Sequence, residues 1–532
     1  MKKKDNAIRA FIVVLLLLGF FYGFSIAGKK YPHYFIEKKY SKKNETREIK
    51  IILKTGASMI KSYYRPHTAP DYPNRMPVVT LSGSWFDMGK QYGLECAGYI
   101  RAVYDGFYKK WDEKPFGIVY LKSCLKKYDE QTRAFSPEMA SFMEGISYGA
   151  ADSLDRSRYS GHLTNYEKIL FINCAMEMIY CDEWHEKLTG KKIQKKNKNQ
   201  ENQPGDVFCT CWAALPKSTS LGELITGLNR DFKYYPALYQ VAIKAYPEDS
   251  EAKSFAFTAP AGLVGSNNCI NADGLYIGQT RVADEFRPDE GIEEMSFGVP
   301  ASIICAHMTS YCNNVDKAKD ILIYGTEQYR EKTKRKTLLH SNCMNYLLAK
   351  NNKALVVERS ANHYAIRYPG DMNEDEKSFI ATTNHFTCSY SYNKDGIRTD
   401  IPMTLYGRNA KNKGAGYSVA RLDSAIHQLH VYYKRMNVNL GQNEICSLIT
   451  YFDSMGLEHY HVKRDEKKIL AREIGYSIDN QREKNGVPFA GTIAAHVNLP
   501  QEGIMYYVQG SPHDWLGLWD VIQIGKEEES TD

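Results

Sequence analysis

The chain has 532 residues, 43% hydrophobic and 12% aromatic, which excludes a disordered protein or a small disulfide scaffold. The net charge of +7 is unevenly placed: residues 1–75 carry 16 basic and 5 acidic side chains, so the remainder sums to −4. A mildly acidic body behind a basic leader argues against a nucleic-acid-binding protein.

Lys2, Lys3 and Lys4 precede an apolar run from Phe11 to Gly28. Positive charge followed by a Leu/Val/Phe stretch predicts a signal peptide or signal anchor over residues 1–28. Ser25-Ile26-Ala27 is a small-x-small cleavage site, and the run also approaches the roughly 20 residues that span a bilayer. The expected outcomes are a secreted or periplasmic body, or one anchored to a membrane through residues 7–28. Both are extracytoplasmic.

Residues 29–75 are polar, basic and proline-bearing, and read as a tether. From Met76 the chain reads as a short strand, a turn and then helices through residue 185, with Asp87 near the start of the first helix. Residues 186–208 are rich in Lys, Asn and Gln and read as an exposed, flexible loop. After this loop strands dominate: FCTCWAALP, ELITGLNRDF, NNCINADGLYIGQT, KALVVERS, HYAIRYP and GTIAAHVNLP. Helices are expected near 315–330, 335–350 and 417–432. The mixture predicts an α+β enzyme. Twelve scattered cysteines without a CxxC give a structural zinc site little support, and are expected to be mostly buried, with one or two disulfides at most.

The stretch Phe208 to Phe232 carries the chemistry. Two strand-like runs flank a Lys/Ser/Thr/Gly turn, and symmetry about Ser220 places Cys209 opposite Asp231. Alternation then groups Cys209, Cys211 and Ala213 on one face, and Asn229 with Asp231 on one face of the partner strand. No histidine stands at a spacing that identifies it as a base for Cys209. A free α-amine on Cys209, with an ordinary pKa of about 7.7–8.0, serves instead. That amine requires a cut between Phe208 and Cys209. Cys211, two residues deeper, cannot use it. A buried structural cysteine and a turn aspartate are the plainer reading of the same residues.

The sequence resembles the cysteine N-terminal-nucleophile hydrolases, most of all the autoproteolytic acyltransferase/hydrolase group that includes the penicillin acyltransferases. It is also similar to acid ceramidase, N-acylethanolamine amidase and, more distantly, choloylglycine hydrolases. Six motifs in order carry the resemblance: Gly83-Ser84 through Asp87-Met88-Gly89-Lys90-Gln91-Tyr92-Gly93; Cys209-Thr210-Cys211; Gly227-Leu228-Asn229-Arg230-Asp231; Asn271-Ala272-Asp273-Gly274-Leu275; Thr383-Asn384-His385-Phe386; and Ser418-Val419-Ala420-Arg421. The resemblance implies a four-layer αββα sandwich, with a helical prosegment over 76–185, a processing loop over 186–208 and a catalytic domain over 209–532. It implies Cys209 as nucleophile, Asp231 holding its amine, Asn384 in the oxyanion hole or on the acyl amide, and Arg421 supporting the cluster by charge. Asn229 joins the site, with Gln279 and Asn271 as candidate oxyanion donors and His385 as a structural residue.

The implied activity is hydrolysis or transfer of an acyl group from a linear amide C–N bond through a Cys209 thioester, with no metal and no cofactor. The implied partner is a small acyl-amide substrate: a lipid, a bile-acid-like compound or an acyl-amino compound. The chain departs from the pattern at Leu228, where relatives often carry Arg, at Phe208 and at Gln279. Arg230 lies two residues beyond Leu228 and is not expected to replace that Arg. Two alternatives follow, a phospholipase B-like ester hydrolase and a non-catalytic surface binding protein on the same fold.

Overall fold

The computed structural model describes residues 34–39, 48–53, 60–62, 76–192, 207–219, 222–233, 239–282, 297–372, 377–406, 416–430, 490–509 and 520–525. The apolar leader with its Ala27 site, and residues 193–206 of the processing loop, lie outside them. Among the described residues no helix is long and apolar enough to cross a membrane. The chain divides into two compact units, Met1–Arg65 and Pro66–Asp532.

The first unit contains three antiparallel strands, β1 (Tyr34–Lys39), β2 (Glu48–Leu53) and β3 (Ile60–Ser62). The stretch read as a plain tether therefore holds a small sheet, built where Glu48-Ile49-Lys50-Ile51 alternates polar and apolar residues.

In the second unit β4 (Val78–Gly83) leads into helices α1 (Trp85–Glu95), α2 (Ala97–Asp112), α3 (Gly117–Phe135), α4 (Pro137–Gly149), α5 (Ala151–Leu154), α6 (Asn165–Asn173), α7 (Ala175–Tyr180) and α8 (Asp182–Thr189). The start of α1 explains the first motif. Ser84 caps the helix by accepting from the Asp87 amide at 3.2 Å. The Gln91 side-chain amide bonds both backbone groups of Ser82 in β4, at 3.1 and 2.8 Å. Gly89 and Gly93 face Gly145 and Gly149 of α4, close enough that a Cβ on Gly89 would stand 2.1 Å from the Phe142 carbonyl. These residues are scaffold. Gly145→Ala is expected to force α1 and α4 apart at a cost of about 1–3 kcal/mol. Thermal unfolding should show a fall of several degrees, and an unchanged Tm would refute the tight crossing.

The strands form two sheets. The larger has ten strands: β4, β7 (Gln240–Pro247), β8 (Phe255–Pro260), β9 (Asn268–Asn271), β10 (Tyr276–Arg281), β11 (Met344–Lys350), β12 (Lys353–Arg359), β13 (Tyr364–Arg367), β15 (Ser391–Tyr392) and β16 (Arg398–Thr399), in that spatial order. Only β4 runs parallel to its neighbour. The smaller sheet is antiparallel, in the order β14 (Phe379–Thr382), β5 (Val207–Ala214), β6 (Ile225–Lys233), β17 (Ala490–Leu499), β18 (Ile504–Gln509), β19 (Asp520–Gln523). The helix expected over 335–350 is instead partly β11. Its apolar run MNYLLAK is buried on both faces at the centre of the large sheet, a pattern that does not separate a central strand from a buried helix.

Three apolar clusters join these parts. Helices α1–α7, with α9 (Ala301–Tyr311), α10 (Val315–Tyr324) and α11 (Glu327–Thr333), pack on the large sheet through residues such as Tyr92, Phe142, Val241 and Phe257. The two sheets meet through Cys211, Leu228, Ala256, Tyr276 and Met505. Helix α12 (Gly416–His430) sends Leu422, Ala425 and Leu429 against Trp212, Phe379 and Val497 of the small sheet. The segment 76–192 thus supplies an edge strand and shares one core with the residues that follow the processing loop. The eleven described cysteines are all buried, and no disulfide joins any two of them.

Burial pushes His307 and His340 down to about 3, with Lys317 and Arg359 adding to the effect, and burial together with Arg230 lowers His496. An unfolded histidine takes up its proton near 6.5, so below that pH the unfolded chain binds more protons than the folded one. Stability is expected to be full above about pH 6.5 and to fall as pH drops toward 3. Urea midpoints at pH 7.5 and 5.5 measure this, and equal midpoints would remove the three histidines as a cause of acid sensitivity.

Candidate active site

The β5–β6 hairpin forms as expected, but its register differs by one residue. Cys209 pairs with Arg230, Phe208 with Asp231, Thr210 with Asn229 and Cys211 with Leu228. The assumption of symmetry about Ser220 fails because residues 215–224, an even number, separate the paired ends Ala214 and Ile225, which puts the centre between Thr219 and Ser220. The residue that shares the Cys209 face is therefore Arg230, and Asn229 belongs with Thr210 on the other face. Gly227 is fixed by packing: a Cβ there would stand 2.3 Å from the Trp212 ring. Strand β5 begins at Val207, so the Phe208–Cys209 bond lies within the strand, and residues 186–189 of the expected loop belong to α8.

Cys209 is 3% exposed and lines a cavity of about 130 Å3. Its backbone N–H donates to Asn384 Oδ1 at 2.8 Å. Arg421 Nη2 donates to the same oxygen at 2.6 Å, while Arg421 Nη1 donates to the Cys209 carbonyl and, at 2.9 Å, to Thr210 Oγ1. Asn384 Nδ2 donates to the Arg281 carbonyl at 2.6 Å, which fixes the amide with its oxygen toward Cys209. Asn384 follows β14 and Arg421 sits on α12; Ser418, one turn before Arg421, joins them by accepting from the Asn384 N–H at 2.7 Å. His385 Nδ1 also meets Ser418 Oγ, at 2.8 Å.

Asn271 does not reach the site. Fully buried, it donates to the Thr309 and Cys312 carbonyls at 2.8 Å each and accepts from the Leu275 N–H at 3.0 Å, closing a turn whose Gly274 has φ +80°. The N-x-x-G-L motif is a turn in this fold, and its asparagine is no oxyanion donor. Gln279 does line the cavity, but its Nε2 donates to Tyr346 OH at 3.3 Å. Cys211 faces between the sheets, 3.1 Å from Tyr276 OH, and burial pushes its thiol up to about 12, so it is inert at neutral pH. Among the described residues no group of His, Cys, Asp and Glu is placed to hold a metal ion.

Two site residues escape the sequence reading. The offset of Arg230 from Leu228 argues against it, although alternation from Cys209 with the register moved by one finds it. Asn267, whose Nδ2 stands 3.4 Å from Cys209 Sγ, follows β8 and carries no motif. The cavity wall has no sequence signal either. Phe107 of α2, Ile172 of α6 and Met176 of α7 line the same cavity as Cys209, as do Leu263 and Met344.

No family model matches the sequence, and no curated protein matches it. Solved structures do show likeness. A conjugated bile acid hydrolase from Clostridium perfringens aligns over 57% of this chain and 89% of its own, at 11% identity and a TM-score of 0.33. A Caenorhabditis elegans N-acylethanolamine-hydrolyzing acid amidase aligns over 55% and 93%, at 14% and 0.30. A penicillin V acylase from Agrobacterium tumefaciens aligns over 57% and 83%, at 9% and 0.26.

Proposed function

We propose that this protein is a cysteine N-terminal-nucleophile amidohydrolase or acyltransferase, exported from the cytoplasm, that acts on small acyl amides. The observation that carries this reading is the fixing of Cys209 at three points beside a cavity: its N–H by Asn384, its carbonyl by Arg421 and its sulfur near Asn267. Any buried backbone needs partners, but those of Cys209 include side chains from two distant elements, and a third side chain reaches its sulfur. The three apolar interfaces of the fold support the four-layer αββα arrangement, with 76–185 as a helical prosegment that remains in place.

Activation begins with the chain itself. The Cys209 sulfur attacks the Phe208 carbonyl, the peptide C–N bond breaks as the nitrogen takes a proton, and water hydrolyses the resulting ester of the thiol. This leaves a Phe208 carboxylate and a free Cys209 amine. Asp231, at the register position of Phe208, stands across from the bond that is cut. In turnover the amine takes the thiol proton, the sulfur bonds to the acyl carbon, and the substrate amine leaves with that proton. Water or a second amine then releases the acyl group. Donors aimed at the developing oxyanion usually contribute more to the rate of such reactions than any other single effect.

Intact mass and N-terminal sequencing of purified protein test the cut, with chains beginning at Cys209 expected. Assay of N-acyl amides against lysophospholipids tests the bond, and preference for the ester would replace the amidase reading. The mainly apolar lining supports reading the cavity as the acyl side. Met176→Trp is expected to raise KM for long-chain amides about tenfold while leaving short-chain turnover intact, in line with what a few methylenes contribute in an apolar pocket. Equal effects on both chain lengths would move the acyl group elsewhere.

A further inference from the structure

We propose that Arg230 and Asn267 form a positioning pair that holds an N–H donor and a fixed positive charge against the Cys209 sulfur; the pair's use in catalysis rests on Cys209 being the nucleophile. Arg230 is 6% exposed, lines the cavity and occupies the register position opposite Cys209. Its Nε donates to Asn267 Oδ1 at 2.6 Å, Nη1 to Gln240 Oε1 at 2.9 Å, and Nη2 to the Thr258 carbonyl at 2.8 Å and to Ser266 Oγ. These four acceptors are neutral. A buried cation with neutral partners is costly unless another group supplies the opposite charge. Four of the five guanidinium N–H groups are used, so the fork is closed to bidentate binding of a substrate carboxylate. What it offers the cavity is charge.

The same geometry orients Asn267. A guanidinium only donates, so the amide oxygen must face Arg230. The NH2 group is then turned to Cys209 Sγ, 3.4 Å away. Flipping the amide would set N–H against N–H. A donor and a nearby cation both favour thiolate over thiol. Among the described residues, the other charged or titratable groups around Cys209 are Arg281 of β10, Arg421 of α12, Glu177 of α7 and the Cys211 thiol of β5, with Asp231 next along β6, while Cys269 of β9 and His496 of β17 interact with Arg230 itself. Glu177 acts in the opposite sense, so the pair is tested one residue at a time.

The test is the rate of Cys209 carboxamidomethylation by iodoacetamide in the full chain between pH 5 and 10, read by mass spectrometry of the Cys209 peptide. The thiolate sulfur bonds to the methylene carbon and iodide leaves. The wild-type midpoint is expected below the free-cysteine value of about 8.5. Arg230→Met and Asn267→Leu should each raise it by about one pH unit, making labelling at pH 7 about tenfold slower. Arg230→Lys should restore part of the shift by returning the charge. Asn267 is only half-buried, so Asn267→Leu keeps the test open should Arg230→Met unfold. An unchanged midpoint in folded Asn267→Leu overturns the pair. The expected shifts in a protein that cleaves no amide would sustain the pair and remove the amidohydrolase reading.

Discussion

Cys209→Ala is expected to lower acyl transfer by at least about a thousandfold while leaving the fold intact, because no neighbouring group replaces the sulfur as nucleophile. The substitution removes one buried atom from the cavity rim and leaves the Asn384 and Arg421 contacts, which go to the Cys209 backbone, in place. The same variant should remain a single chain, since the sulfur that would attack the Phe208 carbonyl is gone. Cys211→Ala serves as the control. Its thiol is directed at Tyr276 between the sheets, so its loss is expected to cost stability and spare turnover. Comparable kcat/KM for wild-type and folded Cys209→Ala, or loss of turnover in Cys211→Ala alone, would move the nucleophile.

Arg421→Ala is expected to lower kcat/KM by about a hundredfold, equivalent to roughly 2.7 kcal/mol at the transition state. One guanidinium here holds Asn384 Oδ1, the Cys209 carbonyl and Thr210 Oγ1 together. Its removal loosens the loop carrying Asn384 from the strand carrying Cys209, and takes a charged donor away from each of three buried acceptors. Arg421→Lys should recover little, because an ammonium cannot reproduce a fork that spans three acceptors. The comparison is made on protein whose Tm stays within a few degrees of wild type. A near-wild-type rate in such a protein would reduce Arg421 to a packing residue.

The parts of this molecule that are legible in the sequence are those set by local pattern. Alternation finds β5, β6, β12, β13 and β17, and the Ser84/Asp87 start of α1 can be placed from the residues alone. Motif order finds Cys209, Asn384 and Arg421, which the fold brings into contact from three distant stretches. The failures have a common cause in long-range packing. A hairpin's register depends on how many residues its connection holds, and one residue more or less decides whether Asp231 or Arg230 stands opposite the cysteine. β11 looks helical because a strand covered on both faces has no alternation left to read. Asn271 looks catalytic because its side chain closes a turn that recurs in enzymes, and Asn267 is invisible because its role comes only from Arg230 and Cys209 being near it.

The wall formed by Phe107, Ile172 and Met176 divides responsibility within the protein. After the proposed cut, the polypeptide that carries Cys209 and the polypeptide that supplies this wall would be different molecules held by one core. Substrate range can then drift through substitutions in α2, α6 and α7 while the residues around Cys209 stay constant. The N-terminal piece would stay seated through β4, which pairs with β7, and through the apolar core that its helices share with the large sheet.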